Sequence, residues 1–212
     1  MRTAYFDIET ASAEEMFTYG DGFVRLVGAA VDDNDHVAVT TDCRKLATML
    51  TRADRIVGHN IIKFDLMALA RHCGIDYEMV CAKAVDTLVP GRLQDPPGSR
   101  HLKPWSEAGY YSLDTVAQRL GVAGKTDSIN DLAAKWGGYD RIPVDDPDYV
   151  AYLRGDVRAT RAVAGELGEL TDYARREMKV AHLQNRMTLS GWRVDETLLK
   201  ERVAAEEKRQ AD

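Results

Sequence analysis

The chain has 212 residues, 45% of them hydrophobic, and a formal net charge of −6. That is enough apolar material for one substantial core, and it points to one domain with a short appendage. No run of 18 apolar residues occurs and the N-terminus shows no signal-peptide pattern, so no membrane span and a cytoplasmic location are expected.

The acidic balance argues against a broad basic surface for nucleic acid. A nucleic-acid site here must counter phosphate repulsion locally, most simply with divalent cations. Cys43, Cys73 and Cys81 are odd in number and form no Cys-x-x-Cys pair. They read as reduced thiols packed in a half-buried setting.

In chain order, the first element alternates: Ala4, Phe6 and Ile8 face one way, Tyr5, Asp7 and Glu9 the other. Strand-like runs follow at Phe23–Val31 and His36–Thr40, joined by a turn at Asp32–Asp35, which predicts an antiparallel meander. Asp42 is expected to cap a helix through Leu50, and Arg55–Gly58 to form a short buried strand. Asp65 opens a helix through Cys73, ended by a left-handed Gly74. Residues 90–111 hold four of the six prolines and three glycines, and read as a long loop. Asp114 is expected to cap a helix to Leu120 and Asp146-Pro147 to start a helix over 147–170. Met-bearing residues 173–190 read as a helix broken at Gly191, and Asp195 as the cap of a last charged helix. Strands first and helices later suggest a mixed sheet flanked by helices, a three-layer α/β domain.

Three segments carry carboxylates in patterns that suit metal chemistry. In Asp7-Ile8-Glu9, residues two apart on a strand share a face at roughly 6.5–7 Å along the strand, close enough to share a cation. Taken alone the triplet is weak: with 34 acidic residues in 212, about one Asp-x-Glu arises by chance. In Gly58-His59-Asn60-Ile61-Ile62-Lys63-Phe64-Asp65 a strand ends, the backbone turns, and Asp65 enters a helix. Strand ends are where α/β sheets place their sites, although Asp65 also reads as a helix cap and His59 as a turn residue. In Tyr152-Leu-Arg-Gly-Asp156, positions i and i+4 share a helix face. A mid-helix aspartate is disfavoured without a partner. The competing Tyr110-x-x-x-Asp114 reads better as a helix start with Asp114 as cap.

Four carboxylates brought together would repel one another unless cations intervened. A shell without cysteine or histidine favours Mg²⁺ or Mn²⁺ over Zn²⁺. Two such ions about 4 Å apart suit in-line attack on a phosphodiester, with a tyrosine alongside to orient water.

In this order the segments resemble the exonuclease motifs of the DnaQ-like, or DEDD, superfamily over residues 1–172. Asp7 and Glu9 match the first motif, Asp65 the second, and Tyr152 with Asp156 the third; the tyrosine marks the DEDDy branch. The chain is most similar to the proofreading domain of family A (DNA polymerase I-like) enzymes, especially phage ones, through Asp86-Thr87-Leu88-Val89 and Ser112–Gly121. Residues Glu177–Asp195 resemble the segment leading into the polymerase domain.

The resemblance implies a ribonuclease H-like three-layer fold with a C-terminal helical appendage, residues 1–172 forming the exonuclease domain and 173–212 the helical start of a polymerase domain. It implies two divalent cations held by Asp7, Glu9, Asp65 and Asp156, with Tyr152 positioning the nucleophile. It places Thr10, His59, Asn60 and Phe64 against a single-stranded or frayed DNA 3′ end, and a polymerase domain in cis or trans as partner. Asn60 and Asp65 are five apart, where bacterial members have four and some phage members five.

Arg154, Arg158 and Arg161 form a stripe that reads as a solvated face, since Arg154 and Arg161 lie roughly 180–200° from Tyr152. Arg92, Arg100, His101 and Lys103 divide evenly between substrate contact and a plain loop. Trp105, Tyr110 and Tyr111 suit packing better than base stacking, and Met178 and Met187 read as packing residues. Two rivals remain: an RNA 3′-exonuclease of the same superfamily, and a catalytically silent nucleic-acid-binding or scaffold module.

Overall fold

The computed structural model describes residues 1–12, 14–96, 109–122 and 129–211. Its sheet runs in the order β3-β2-β1-β4-β5, built from β1 (Thr3–Thr10), β2 (Val24–Val31), β3 (Ala38–Thr40), β4 (Arg55–Gly58) and β5 (Ala84–Asp86). The first three strands pair antiparallel, as the meander predicts, while β4 joins β1 and β5 joins β4 in parallel. With helices on both faces, this is the mixed, ribonuclease H-like α/β arrangement.

The alternation of β1 divides the layers. Ala4, Phe6 and Ile8 are buried with Val27 and Ala29 beneath α1 (Cys43–Arg52), α2 (Asp65–His72) and α3 (Tyr77–Cys81). The opposite face meets α7 (Pro147–Leu167), whose Tyr149 and Leu153 pack on Leu26 and whose Val157 packs on Ala30. Burying a Leu- or Val-sized side chain contributes roughly 1.5–3 kcal/mol, so these stripes hold α7 to the sheet. Gly28 lets it come close: a Cβ there would lie 2.8 Å from Leu153 Cγ and 3.2 Å from Val157 Cγ2.

Local signals set several boundaries as expected. Asp42 accepts the Arg44 N–H at the start of α1, and Gly74 (φ 69°) follows α2. Asp146 accepts the N–H groups of Asp148 and Tyr149, and Pro147, at the first position of α7, lacks only an N–H with no intrahelical partner. This helix ends at Leu167, three residues before the expected 170. Helices α8 (Asp172–Ser190) and α9 (Glu196–Ala211) follow, the latter capped by Asp195.

Other expectations are corrected. The stretch read as loop from residue 90 begins inside α4 (Leu88–Gln94). Pro90 sits in its first turn, where no N–H is needed, so it does not break the helix. The rest of the expected loop, 97–108, with Arg100, His101, Lys103 and Trp105, lies outside the described residues. The cap of α5 (Leu113–Leu120) is Ser112, the last extended residue, whose Oγ accepts the Thr115 N–H; Asp114 lies within the first turn and accepts from Gln118.

Cys43 and Cys73 are joined in a disulfide rather than reduced. Their separation of 30 residues carries no local signal, and only the packing of α1 and α2 into one core on the same face of the sheet brings them together. Met178 is buried, but Met187 is exposed. Arg161 is not simply solvated: it holds the β2–β3 turn through Asn34 O at 2.8 Å and Asp35 Oδ1 at 2.5 Å. Strand β5, α3, α6 (Ile129–Trp136) and a 3-10 turn at Tyr139–Arg141 carried no pattern long enough to anticipate. Among the described residues no helix is long and apolar enough to cross a membrane.

Candidate active site

Asp7 and Glu9 leave β1 on the face covered by α7, half-buried near the end of the strand. Asp7 pairs with Gly28, so the close approach of α7 occurs beside it, and the register shifts between Glu9 and Thr10 as the strand ends. Asp156 reaches the same place from the middle of α7, 5% exposed. One carboxylate oxygen from each of Asp7, Glu9 and Asp156 lies within 4.8 Å of the others, a spacing that suits a shared cation.

Asp65 stands beside this trio at the first position of α2. It is not the cap: Phe64 occupies that position, with no side-chain capping bond. The Asp65 side chain is buried, and its Oδ1 makes no hydrogen bond among the described residues. Burial raises its pKa to about 7, with the negative charges of Asp86 and Asp156 adding and the backbone amides of Asp65 and Ile8 opposing. A buried carboxylate with an unsatisfied oxygen, facing a second carboxylate, is the environment a divalent cation relieves. The donor set therefore fits a hard cation.

Tyr152 lies one helical turn before Asp156, hydrogen-bonded to it, and is 9% exposed. Burial first, then the charges of Asp156, Glu9 and Asp7, pushes its pKa up, so the phenol keeps its proton across the physiological range. Tyr149, not singled out by the sequence, is a second buried phenol; burial and then the charge of Glu9 push its pKa up too. Its only sequence signal was its place three residues before Tyr152 on the same helix.

The turn between β4 and α2 carries the remaining expected residues. Asn60 adopts a left-handed conformation at φ 62°. His59 is engaged at both nitrogens: Nε2 donates to the Tyr111 carbonyl at 2.8 Å, and Nδ1 lies 2.8 Å from Thr87 Oγ1. Phe64 is half-buried against the core, and Thr10 donates to Ser12 O at 3.0 Å.

Asp86, at the end of β5, is a buried residue that motif spacing did not expose. Its Oδ1 accepts from the N–H groups of Asn60 at 2.7 Å and Leu88 at 3.0 Å, and its Oδ2 from Ile62 N–H at 3.0 Å. Burial raises its pKa to about 6 against these amides. Tyr110 and Tyr111 pack edge to face, with the guanidiniums of Arg119 and Arg92 over their rings and both hydroxyls donated to Asp95. Packing thus accounts for these aromatics and for Arg92.

A family model of the DNA polymerase A type, described as 3′-5′ exonuclease, matches residues 3–172. No curated protein matches the chain. Among solved structures, the family B DNA polymerase from the hyperthermophilic archaeon Pyrobaculum calidifontis aligns with a TM-score of 0.52 at 18% identity. The alignment covers 78% of this chain and 24% of that one. At this identity the likeness is one of fold, and the chain spans about a quarter of that polymerase's length.

Proposed function

The chain belongs to the 3′-5′ exonuclease family of the DNA polymerase A type, and from that premise we propose that it removes nucleotides one at a time from the 3′ end of DNA. The substrate is single-stranded or frayed DNA, the product a nucleoside monophosphate, and the role proofreading beside a polymerase domain in cis or trans. The observation that carries the reading is the meeting of Asp7, Glu9 and Asp156, from a strand and a distant helix, within 4.8 Å.

Asp7, Glu9 and Asp156 would hold one Mg²⁺ or Mn²⁺, and Asp7 with Asp65 a second. When bound, the ions supply the positive charge that a phosphodiester needs as its phosphorus becomes five-coordinate. The Tyr152 hydroxyl, protonated at neutral pH, hydrogen-bonds and orients the attacking water but does not take its proton. Thr10, His59, Asn60 and Phe64 line the approach of the terminal nucleotide, His59 chiefly by holding the turn in place. The exonuclease unit is residues 1–172. Residues 173–212 form a helical appendage, of which α8 docks through Ala174, Met178, His182 and Asn185 while α9 is exposed.

The test uses matched 5′-labelled DNA and RNA oligonucleotides with Mg²⁺ or Mn²⁺, and Asp7→Ala as control. Stepwise loss of DNA from the 3′ end by wild type alone is expected, at a rate at least about 10³ above the variant. A strong preference for RNA would overturn the proofreading role. Equal inertness of wild type and Asp7→Ala would favour a binding module.

A further inference from the structure

We propose that Asp86 is a positioning residue for the exonuclease reaction, its carboxylate holding the His59–Asp65 turn in the conformation that delivers Asp65 beside Asp156. The proposal rests on the exonuclease reading and adds a residue that touches neither substrate nor metal.

The turn is irregular: Phe64 N–H reaches Asn60 O at 3.2 Å, but the N–H groups of Asn60 and Ile62 have no ladder or helix partner. Asn60 and Ile62 instead donate to Asp86, from 26 and 24 residues earlier in the chain, and Leu88 donates from the start of α4. One side chain therefore ties β5, the turn and α4 together. Asn60 is left-handed at φ 62°, a conformation that asparagine tolerates better than most chiral residues but still at some cost. Its N–H makes the shortest of the three bonds, 2.7 Å, so Asp86 offsets the strain where it arises. The turn has little room to relax: a Cβ on Gly58 would run into the Ile61 side chain and lie 3.2 Å from Phe6 O. Thr87 N–H adds a bond to Gly58 O at 2.9 Å. Leu66 N–H bonds Ile61 O at 2.9 Å, carrying the turn directly into α2 and Asp65.

Both carboxylate oxygens are needed. Oδ1 takes two N–H groups and Oδ2 one, whereas an asparagine has a single acceptor oxygen and would present its own N–H to a backbone N–H. Such a mismatch inside the fold shifts the turn rather than unfolding the domain, and sub-ångström displacement of a reacting group is costly in rate.

Asp86→Asn is compared with wild type in steady-state degradation of single-stranded DNA with Mg²⁺, in thermal melting, and in amide hydrogen exchange followed by NMR. The expected result is a 10- to 100-fold fall in kcat with KM within about threefold. Melting should stay within a few degrees, and exchange should accelerate at Asn60, Ile62 and Leu88 but not in β1 or β2. A purely structural role would instead lower kcat in step with melting, and that outcome, or a kcat within about twofold of wild type, overturns the proposal. Should the variant not fold, exchange in the wild-type chain decides: slow exchange at Asn60 and Ile62 supports the tether, and random-coil rates there refute it. Inertness of wild type itself would instead sink the exonuclease reading, a result the exchange data do not depend on.

Discussion

Replacing Asp65 with asparagine should abolish metal-dependent activity and at the same time stabilise the metal-free chain. Burial raises the Asp65 pKa from 3.8 to about 7. A carboxyl raised in the folded state keeps its proton there while the unfolded chain has already released it. Stability is therefore greatest below the unfolded value, falls as pH climbs from about 4 to about 7, and stays reduced above. At 1.36 kcal/mol per unit the full penalty is roughly 4 kcal/mol, with roughly 2–3 kcal/mol of it incurred between pH 5 and pH 8. An asparagine carries no such penalty. For a chain of this length 1 kcal/mol moves the melting temperature by roughly 2–4 °C, so Asp65→Asn in EDTA at pH 8 should melt roughly 5–15 °C above wild type. At pH 5 the gap should shrink. Adding Mg²⁺ at pH 8 should raise the wild-type melting temperature by more than it raises the variant's, which keeps the Asp7, Glu9 and Asp156 trio. The assay is a set of melts at both pH values, with EDTA and with Mg²⁺. A variant no more stable than wild type in EDTA at pH 8 would refute the picture of a buried, uncompensated carboxylate waiting for a cation.

Gly28→Val should place methyl groups where Leu153 and Val157 now sit, costing roughly 1–3 kcal/mol of stability and lowering the exonuclease rate at least about tenfold by moving Asp156 away from Asp7; both are read from melts and degradation rates. Tyr152→Phe should cut kcat roughly 10- to 100-fold while calorimetric Mn²⁺ binding stays close to wild type, because the phenol is not among the cation-holding oxygens. The Cys43–Cys73 crosslink should appear as a single disulfide-linked peptide after non-reducing digestion, and reductant should lower the melting midpoint by the equivalent of roughly 3.5 kcal/mol, given a 30-residue separation.

Sequence alone made legible whatever is written locally. The two-residue period of Ala4 to Glu9 placed Asp7 and Glu9 on one face, and Asp146-Pro147, Asp42 and Asp195 announced helix starts through their caps. The four-residue spacing of Tyr152 and Asp156 put both on one side of a helix. These signals lie within one or two turns of chain, where backbone geometry dictates direction, so they put pairs of residues on one face; it was the family resemblance that joined Asp7, Glu9, Asp65, Tyr152 and Asp156 into one expected site.

What the tertiary structure decided depends on groups far apart in sequence. That Asp156 meets Asp7 follows from α7 settling on Gly28, a contact across more than a hundred residues that no periodicity encodes. The unsatisfied oxygen of Asp65 and the raised pKa values at Asp65 and Asp86 arise from burial, and the Cys43–Cys73 bond from proximity, both properties of the packed whole. Asp86 stood in the sequence only as part of the Asp86-Thr87-Leu88-Val89 likeness, with no role of its own, because its partners are backbone amides and amides have no residue identity to recognise. Chain-local rules aim side chains, but only packing determines which of them share a low-dielectric pocket, and it is that sharing that gives these carboxylates their chemistry.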